Sequence, residues 1–143
     1  MKVSFNELKS MSKGAARGSG LSWGQAEEVS FATVWLLKNG FDVSNDLIDL
    51  LESDIIYPPN NIDKDIWENK SGDLDPIKSG VALLDLNINK TIVLRNVFLP
   101  YFLIPFIAQL SQSMLIKANN FSAMLIDGRV KTNIKDLPSR SNE

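Results

Sequence analysis

The sequence predicts an α+β fold: an N-terminal helical hairpin plus a short helix, packed on a small antiparallel sheet with one further helix. Three observations predict it. Ser-x-x-Glu and Ser-x-x-Gln boxes open two helices in the first third of the chain. Apolar residues alternate after Gly80, with the period of a strand. Near the C-terminus an Asp-Gly pair separates two short strand-like runs, the signature of a tight hairpin. A chain of 143 residues, 44% hydrophobic, buries roughly two-thirds of its unfolded surface. A single domain over residues 1–134, followed by a flexible tail at 135–143, is therefore expected.

The first helix is expected from about Phe5. Ser4 and Glu7 form the box, and Val3 is placed to staple onto Leu8. Phe5, Leu8, Met11 and Ala15 make its apolar stripe, and Gly18 is expected to stop it in a left-handed cap. Ser22 and Gln25 open the second helix, which runs to about Lys38, with Gly40 and a fold-back of Phe41 on Leu36 closing it. Apolar side chains lie almost all round this helix, so it is expected to be central and covered on more than one side. A third helix is expected from Asn45 to about Glu52, capped by Ser44, with Leu47, Ile48, Leu50 and Leu51 inward.

Between Ser53 and Ser79 the periodicity fades into turn compositions, with a short helix expected around Asp63 to Asn69 that pins Ile66 and Trp67. Strands are expected at Val81 to Ile88 and Thr91 to Phe98, joined by Asn89-Lys90. Pro105 forbids a helix already running through Tyr101, so the next helix is expected from Ile104 or Pro105 to Met114, with Ile107, Leu110 and Met114 inward. Phe121 to Ile126, the turn Asp127-Gly128 and Arg129 to Ile134 complete the sheet as a hairpin.

Composition excludes much chemistry. The chain has no Cys and no His, hence no disulfide, no thiolate nucleophile, no imidazole base and no Cys/His zinc site. No metal and no cofactor is expected. Asp63, Asp65, Asp73 and Asp75 resemble a calcium loop only superficially, because Trp67 and Glu68 stand where an oxygen ligand and then Gly are needed. A net charge of −2 offers no field for a polyanion, so no nucleic-acid partner is expected. That charge is uneven: residues 1–44 carry +1, 45–86 carry −7 and 87–143 carry +4. The longest apolar run, Val97 to Ala108, is broken by Pro100 and Pro105 and falls short of the roughly 20 residues of a membrane span. Met1 to Glu7 lacks the apolar stretch of an export signal, which makes the cytoplasm the expected compartment.

One stretch concentrates chemistry. Gly14, Gly18, Gly20 and Gly24 surround Arg17, Ser19 and Trp23 just before a helix start, the ingredients of an anion site. The spacing matches neither the phosphate loop nor the dinucleotide fingerprint. Glu27 falls between Val34 and Phe31 on the helical wheel, inside an apolar sector, and Glu28 between Trp35 and Ala32. A carboxylate there needs a partner or stays protonated, and Arg17 across the turn is the expected one. Arg17, Ser19, Trp23, Glu27 and Glu28 are thus the candidate ligand-binding residues. Asp85 is expected on the partly covered face of its strand. Trp23, Trp35 and the aromatic-rich Phe98 to Phe106 are expected in the core.

At Ala15-Ala16-Arg17-Gly18-Ser19-Gly20, Trp23-Gly24 and Ala26-Glu27-Glu28 the chain resembles a bacterial domain family of unknown function, in which an Arg-Gly-x-Gly turn precedes a Trp-Gly-x-Ala-Glu-Glu helix start. Leu99-Pro100 and Leu103-Ile104-Pro105-Phe106 resemble the same family's proline-marked apolar helix. The resemblance implies an unassigned bacterial protein and supplies no catalytic residue. It also implies that the chain stops short of a C-terminal part found in the family.

Three functions are compatible with these features. One is a non-enzymatic module binding an anionic small molecule near Arg17, Ser19, Trp23 and Glu27. Another is an interaction subunit completing its core in an oligomer or complex. The third is an enzyme of carboxylate and Arg chemistry, which requires a raised pKa at Glu27.

Overall fold

A computed structural model describes residues 4–86 and 91–110, and the backbone of 114–118, 121–126 and 129–132. Within them the chain forms two compact units, residues 4–53 and 54–132. The α+β class stands, and several elements differ from their sequence expectation.

The first unit begins with helices α1 (Phe5–Gly18) and α2 (Trp23–Lys38), which pack closely against each other. The Ser4 hydroxyl oxygen accepts the Glu7 amide at 3.1 Å, the expected cap, while the Val3 staple lies outside the described residues. Small residues line the α1–α2 contact: Ser12, Ala16, Ala26 and Ser30 are all buried. Their hydroxyls stay satisfied, since Ser12 donates to the Leu8 carbonyl at 2.8 Å and Ser30 to the Lys9 carbonyl at 2.9 Å. Helix α2 buries Ala26, Val29, Ser30, Ala32, Thr33 and Leu36. Phe31, on another sector of the helix, is 37% exposed.

At its end α2 closes as expected. Gly40 takes a φ of 86°, and the Phe41 amide donates to the Leu36 carbonyl at 2.9 Å. Helix α3 (Ser44–Glu52) starts one residue earlier than expected, and Val43 rather than Ser44 holds the cap position, with no side-chain bond. Only Leu50 of the four expected inward residues is fully buried, and Ile48 is 53% exposed. At 100° per residue Ile48 falls off the arc that Leu47, Leu50 and Leu51 share.

The second unit contains β1 (Ile56–Tyr57), β2 (Ile66–Trp67), β3 (Asp73–Leu74), α4 (Pro76–Asp85) and β4 (Ile92–Leu94). A 3-10 turn (Pro100–Leu103), α5 (Ile104–Ile107), β5 (Met114–Ala118), β6 (Phe121–Ile126) and β7 (Arg129–Thr132) follow. The expected helix at Asp63 to Asn69 is instead strand β2, whose Trp67 is fully buried and donates from its indole nitrogen to the Lys64 carbonyl at 3.0 Å.

Residues 81–85 form a helix, not the expected strand. Asp75 caps α4 and Pro76 occupies its first turn, a start signal that the alternation further on concealed. The residues α4 buries, Pro76, Ile77, Ser79, Gly80 and Leu83, repeat with helical spacing. Gly80 lets the Phe106 ring lie against the backbone, since a Cβ there would collide with that ring. The strand pair expected across Asn89-Lys90 is consequently absent, and that turn itself lies outside the described residues.

The helix expected to reach Met114 ends at Ile107, and Met114 opens β5. Ile107 and Leu110 are buried as expected, together with Phe102 and Phe106. Leu99 turns the chain into this segment with a φ of 45°, a left-handed conformation uncommon for leucine.

The sheet is mixed rather than antiparallel. Its order is β2-β4-β5-β6-β7, with β2, β4 and β5 parallel and β5, β6 and β7 antiparallel. The connections dictate this: α4 lies between β2 and β4, α5 lies between β4 and β5, and such crossovers return a strand in the same direction. Two-residue connections instead join β5 to β6 and β6 to β7, as hairpins require. Ile126 pairs with Arg129 as expected, and Asp127-Gly128 lies outside the described residues. A separate parallel pair, β1 with β3, packs under Gly72, where a Cβ would stand 2.8 Å from the Tyr57 ring. The tail at 135–143 is outside the described residues.

Candidate functional site

The turn between α1 and α2 is built by two consecutive end signals. Ser19 holds the cap of α1, and Gly20, not Gly18, supplies the left-handed residue, with a φ of 106°. The Gly20 amide donates to the Arg17 carbonyl at 3.0 Å and the Leu21 amide to the Ala16 carbonyl at 3.2 Å, the two bonds of a Schellman closure. The reciprocal box follows at once. Gln25 donates its amide to the Ser22 hydroxyl at 3.2 Å, and the Ser22 amide donates to the Gln25 side chain at 3.0 Å. These bonds use some of the amides that an anion would otherwise find at the start of α2.

Arg17 is exposed at the last turn of α1. Its Nη1 donates to the Leu21 carbonyl at 2.8 Å, and its guanidinium sits 4.3 Å from the centre of the Trp23 ring, a cation–π contact. Trp23 is 64% exposed, so it is not the core residue expected, while Trp35 is half-buried. At the first position of α2, Trp23 packs its face on Arg17. The Ser19 hydroxyl donates to the Ala16 carbonyl at 2.8 Å.

Glu27 is exposed rather than enclosed by apolar neighbours, and its partner is Lys13, at 2.9 Å, rather than Arg17. The hydrogen bond from the Lys13 ammonium, and then its charge, hold the Glu27 carboxyl below the ordinary carboxylate range. Glu28, one position on, is half-buried. Of the five candidates the structure thus joins Arg17 with Trp23 and keeps Ser19 in the same turn, whereas Glu27 belongs to a separate ion pair. Lys13 escaped the sequence reading, although Lys9, Lys13 and Arg17 stand four residues apart on one helix.

Asp75 was also passed over as a single residue. Its carboxylate accepts the amides of Ile77 at 2.8 Å and Lys78 at 3.3 Å, and burial pushes its pKa up against those bonds. The Asp-Pro pair is a signal that would have found it. Asp85 ends α4 and is exposed, not placed on a strand. Glu68 and Arg95 form a loose pair at 3.8 Å. Among the described residues no three carboxylates converge as a metal site would need, and no helix is long and apolar enough to cross a membrane.

At this doubly capped turn of an α+β chain, an exposed arginine thus stacks on an exposed tryptophan. The chain belongs to the family described as Protein of unknown function (DUF3726), whose match spans residues 3–97. That span holds the whole α1–α2 turn and ends before Leu99. No curated protein and no solved structure matches the chain.

Proposed function

We propose that this chain is a non-enzymatic module of the bacterial cytoplasm that holds an anionic small molecule at the α1–α2 turn, with residues 1–134 as its domain. One observation carries the reading: Arg17 keeps a cationic fork at the surface, held by the Leu21 carbonyl and the Trp23 ring, and makes no ion pair among the described residues. A guanidinium positioned without a carboxylate has its bidentate face for a carboxylate or phosphate. Ser19 lies in the same turn as Arg17 and Trp23, and of the two remaining candidates, Glu27 and Glu28, Glu27 is already paired with Lys13 and is the less suited to hold a ligand.

The test is a melting-temperature screen of phosphate, pyrophosphate and citrate against the wild type and Arg17→Ala. Binding raises the wild-type transition and leaves that of Arg17→Ala unmoved. A panel that shifts neither protein, or both equally, overturns the reading.

A second reading, the interaction subunit or homo-oligomer, draws on exposed apolar side chains of the first unit, Phe5 at 48% and Met11 at 63%. Mass in solution decides it, and a monomer at every concentration counts against it. The enzyme reading requires a Glu27 held protonated near neutral pH. An NMR titration of that carboxyl tests it, and a Glu27 that titrates in the ordinary carboxylate range or below counts against the enzyme.

A further inference from the structure

Asn39 precedes Gly40, the single Asn-Gly step in the sequence. Glycine has no Cβ to shield its nitrogen, so this step is where a side-chain amide is most open to attack by the following backbone nitrogen. Here the fold occupies both reacting groups. Asn39 is the cap of α2, and its Nδ2 donates to the Trp35 carbonyl at 2.8 Å. The Gly40 amide, the attacking nitrogen, donates to the Leu37 carbonyl at 3.2 Å, and Gly40 is held at a φ of 86° between that bond and the Phe41 to Leu36 bond of 2.9 Å.

We propose that Asn39 is a conformationally gated deamidation site, closed while the C-terminal cap of α2 is formed and reactive when that turn opens. In the reaction the Gly40 nitrogen bonds to Cγ of Asn39 and gives up its proton, while the side-chain nitrogen leaves as ammonia. Water then adds to one of the two carbonyls of the resulting succinimide and breaks its bond to the ring nitrogen, giving an aspartyl or an isoaspartyl residue. No oxidant or reductant takes part.

Neither product restores the cap in full. A carboxylate has no N–H for the Trp35 carbonyl, and its charge falls at the negative end of the helix. The isoaspartyl form also lengthens the backbone between Asn39 and Gly40, which breaks the spacing of the Schellman bonds. The modified chain therefore opens more readily at this end, and because the modification is covalent it records how often the end of α2 has frayed.

The full chain is incubated in mildly alkaline buffer, native and in guanidinium, and the peptide holding Asn39 is followed by mass spectrometry, with isoaspartate detected by enzymatic methylation. Native conversion is expected at roughly one-tenth of the unfolded rate or less. Equal rates overturn the gate. Independently, Asn39→Asp, which copies one product, is expected to melt below Asn39→Gln; equal melting temperatures overturn the uncapping.

Discussion

The guanidinium of Arg17 stands 4.3 Å from the centre of the Trp23 ring, bridging the last turn of α1 to the first residue of α2. Trp23 is 64% exposed, so much of this contact is solvated, and it acts as a clasp across a turn that Gly20 and Ser22 already shape.

The clasp predicts which residues are energetically coupled. A double-mutant cycle of Arg17→Ala with Trp23→Ala should give a coupling of about 0.5–1 kcal/mol, typical of exposed cation–π pairs. Arg17→Ala and Glu27→Gln share no partner, so their melting shifts should add. A double mutant no worse than either single change would instead show that Arg17 and Glu27 act as one pair.

The Lys13–Glu27 pair predicts a pH signature. Because the folded pKa of Glu27 lies below the unfolded one, its stabilising share is present above the ordinary value of 4.5 and is lost as pH falls through the lowered one. Lys13→Met should move the Glu27 titration, followed by NMR, back upward. Added salt should weaken the effect, since Glu27 is exposed and Lys13 only half-buried. An unchanged titration would mean that Lys13 is not the cause.

Asp75 carries the opposite sign. Its folded pKa is raised by burial, so its contribution is most favourable below the unfolded pKa and declines as pH rises through the folded one. Asp75→Ala should cost about 1 kcal/mol by uncapping α4. Asp75→Asn keeps the acceptor for the Ile77 and Lys78 amides without a buried charge. It should match or exceed the wild type at neutral pH, with the difference shrinking in acid. Denaturant melts across pH measure this, and an Asn variant as weak as the Ala variant contradicts it.

Two glycines in helices should respond in opposite directions. At Gly14, on α1, a Cβ would meet nothing, so Gly14→Ala should stabilise by about 0.5–1 kcal/mol. At Gly80 the added methyl collides with Phe106, and Gly80→Ala should cost about 1–3 kcal/mol despite its better helix propensity. Melting of the two variants side by side tests both.

The features legible in the chain are local ones. The caps at Ser4 and Ser22, the closure at Gly40 and the β6–β7 pairing all depend on bonds spanning a few residues, so the side chains that make them stand close together in the chain. The Asp75-Pro76 start of α4 is equally local, yet the alternation of Ala82, Leu84, Leu86 and Ile88 conceals it, because apolar residues at every second position read as a strand, while those α4 buries, Ile77, Gly80 and Leu83, repeat at helical spacing. Tertiary structure decided what lies across the chain. Strand direction followed from α4 and α5 standing between the strands, and their placement rests on contacts such as Gly80 with Phe106, 26 residues apart. The partner of Glu27 followed from how α1 is rotated against α2. The small residues Ser12, Ala16, Ala26 and Ser30 set that rotation by close packing, and it brings Lys13 to Glu27 while turning Arg17 to Trp23.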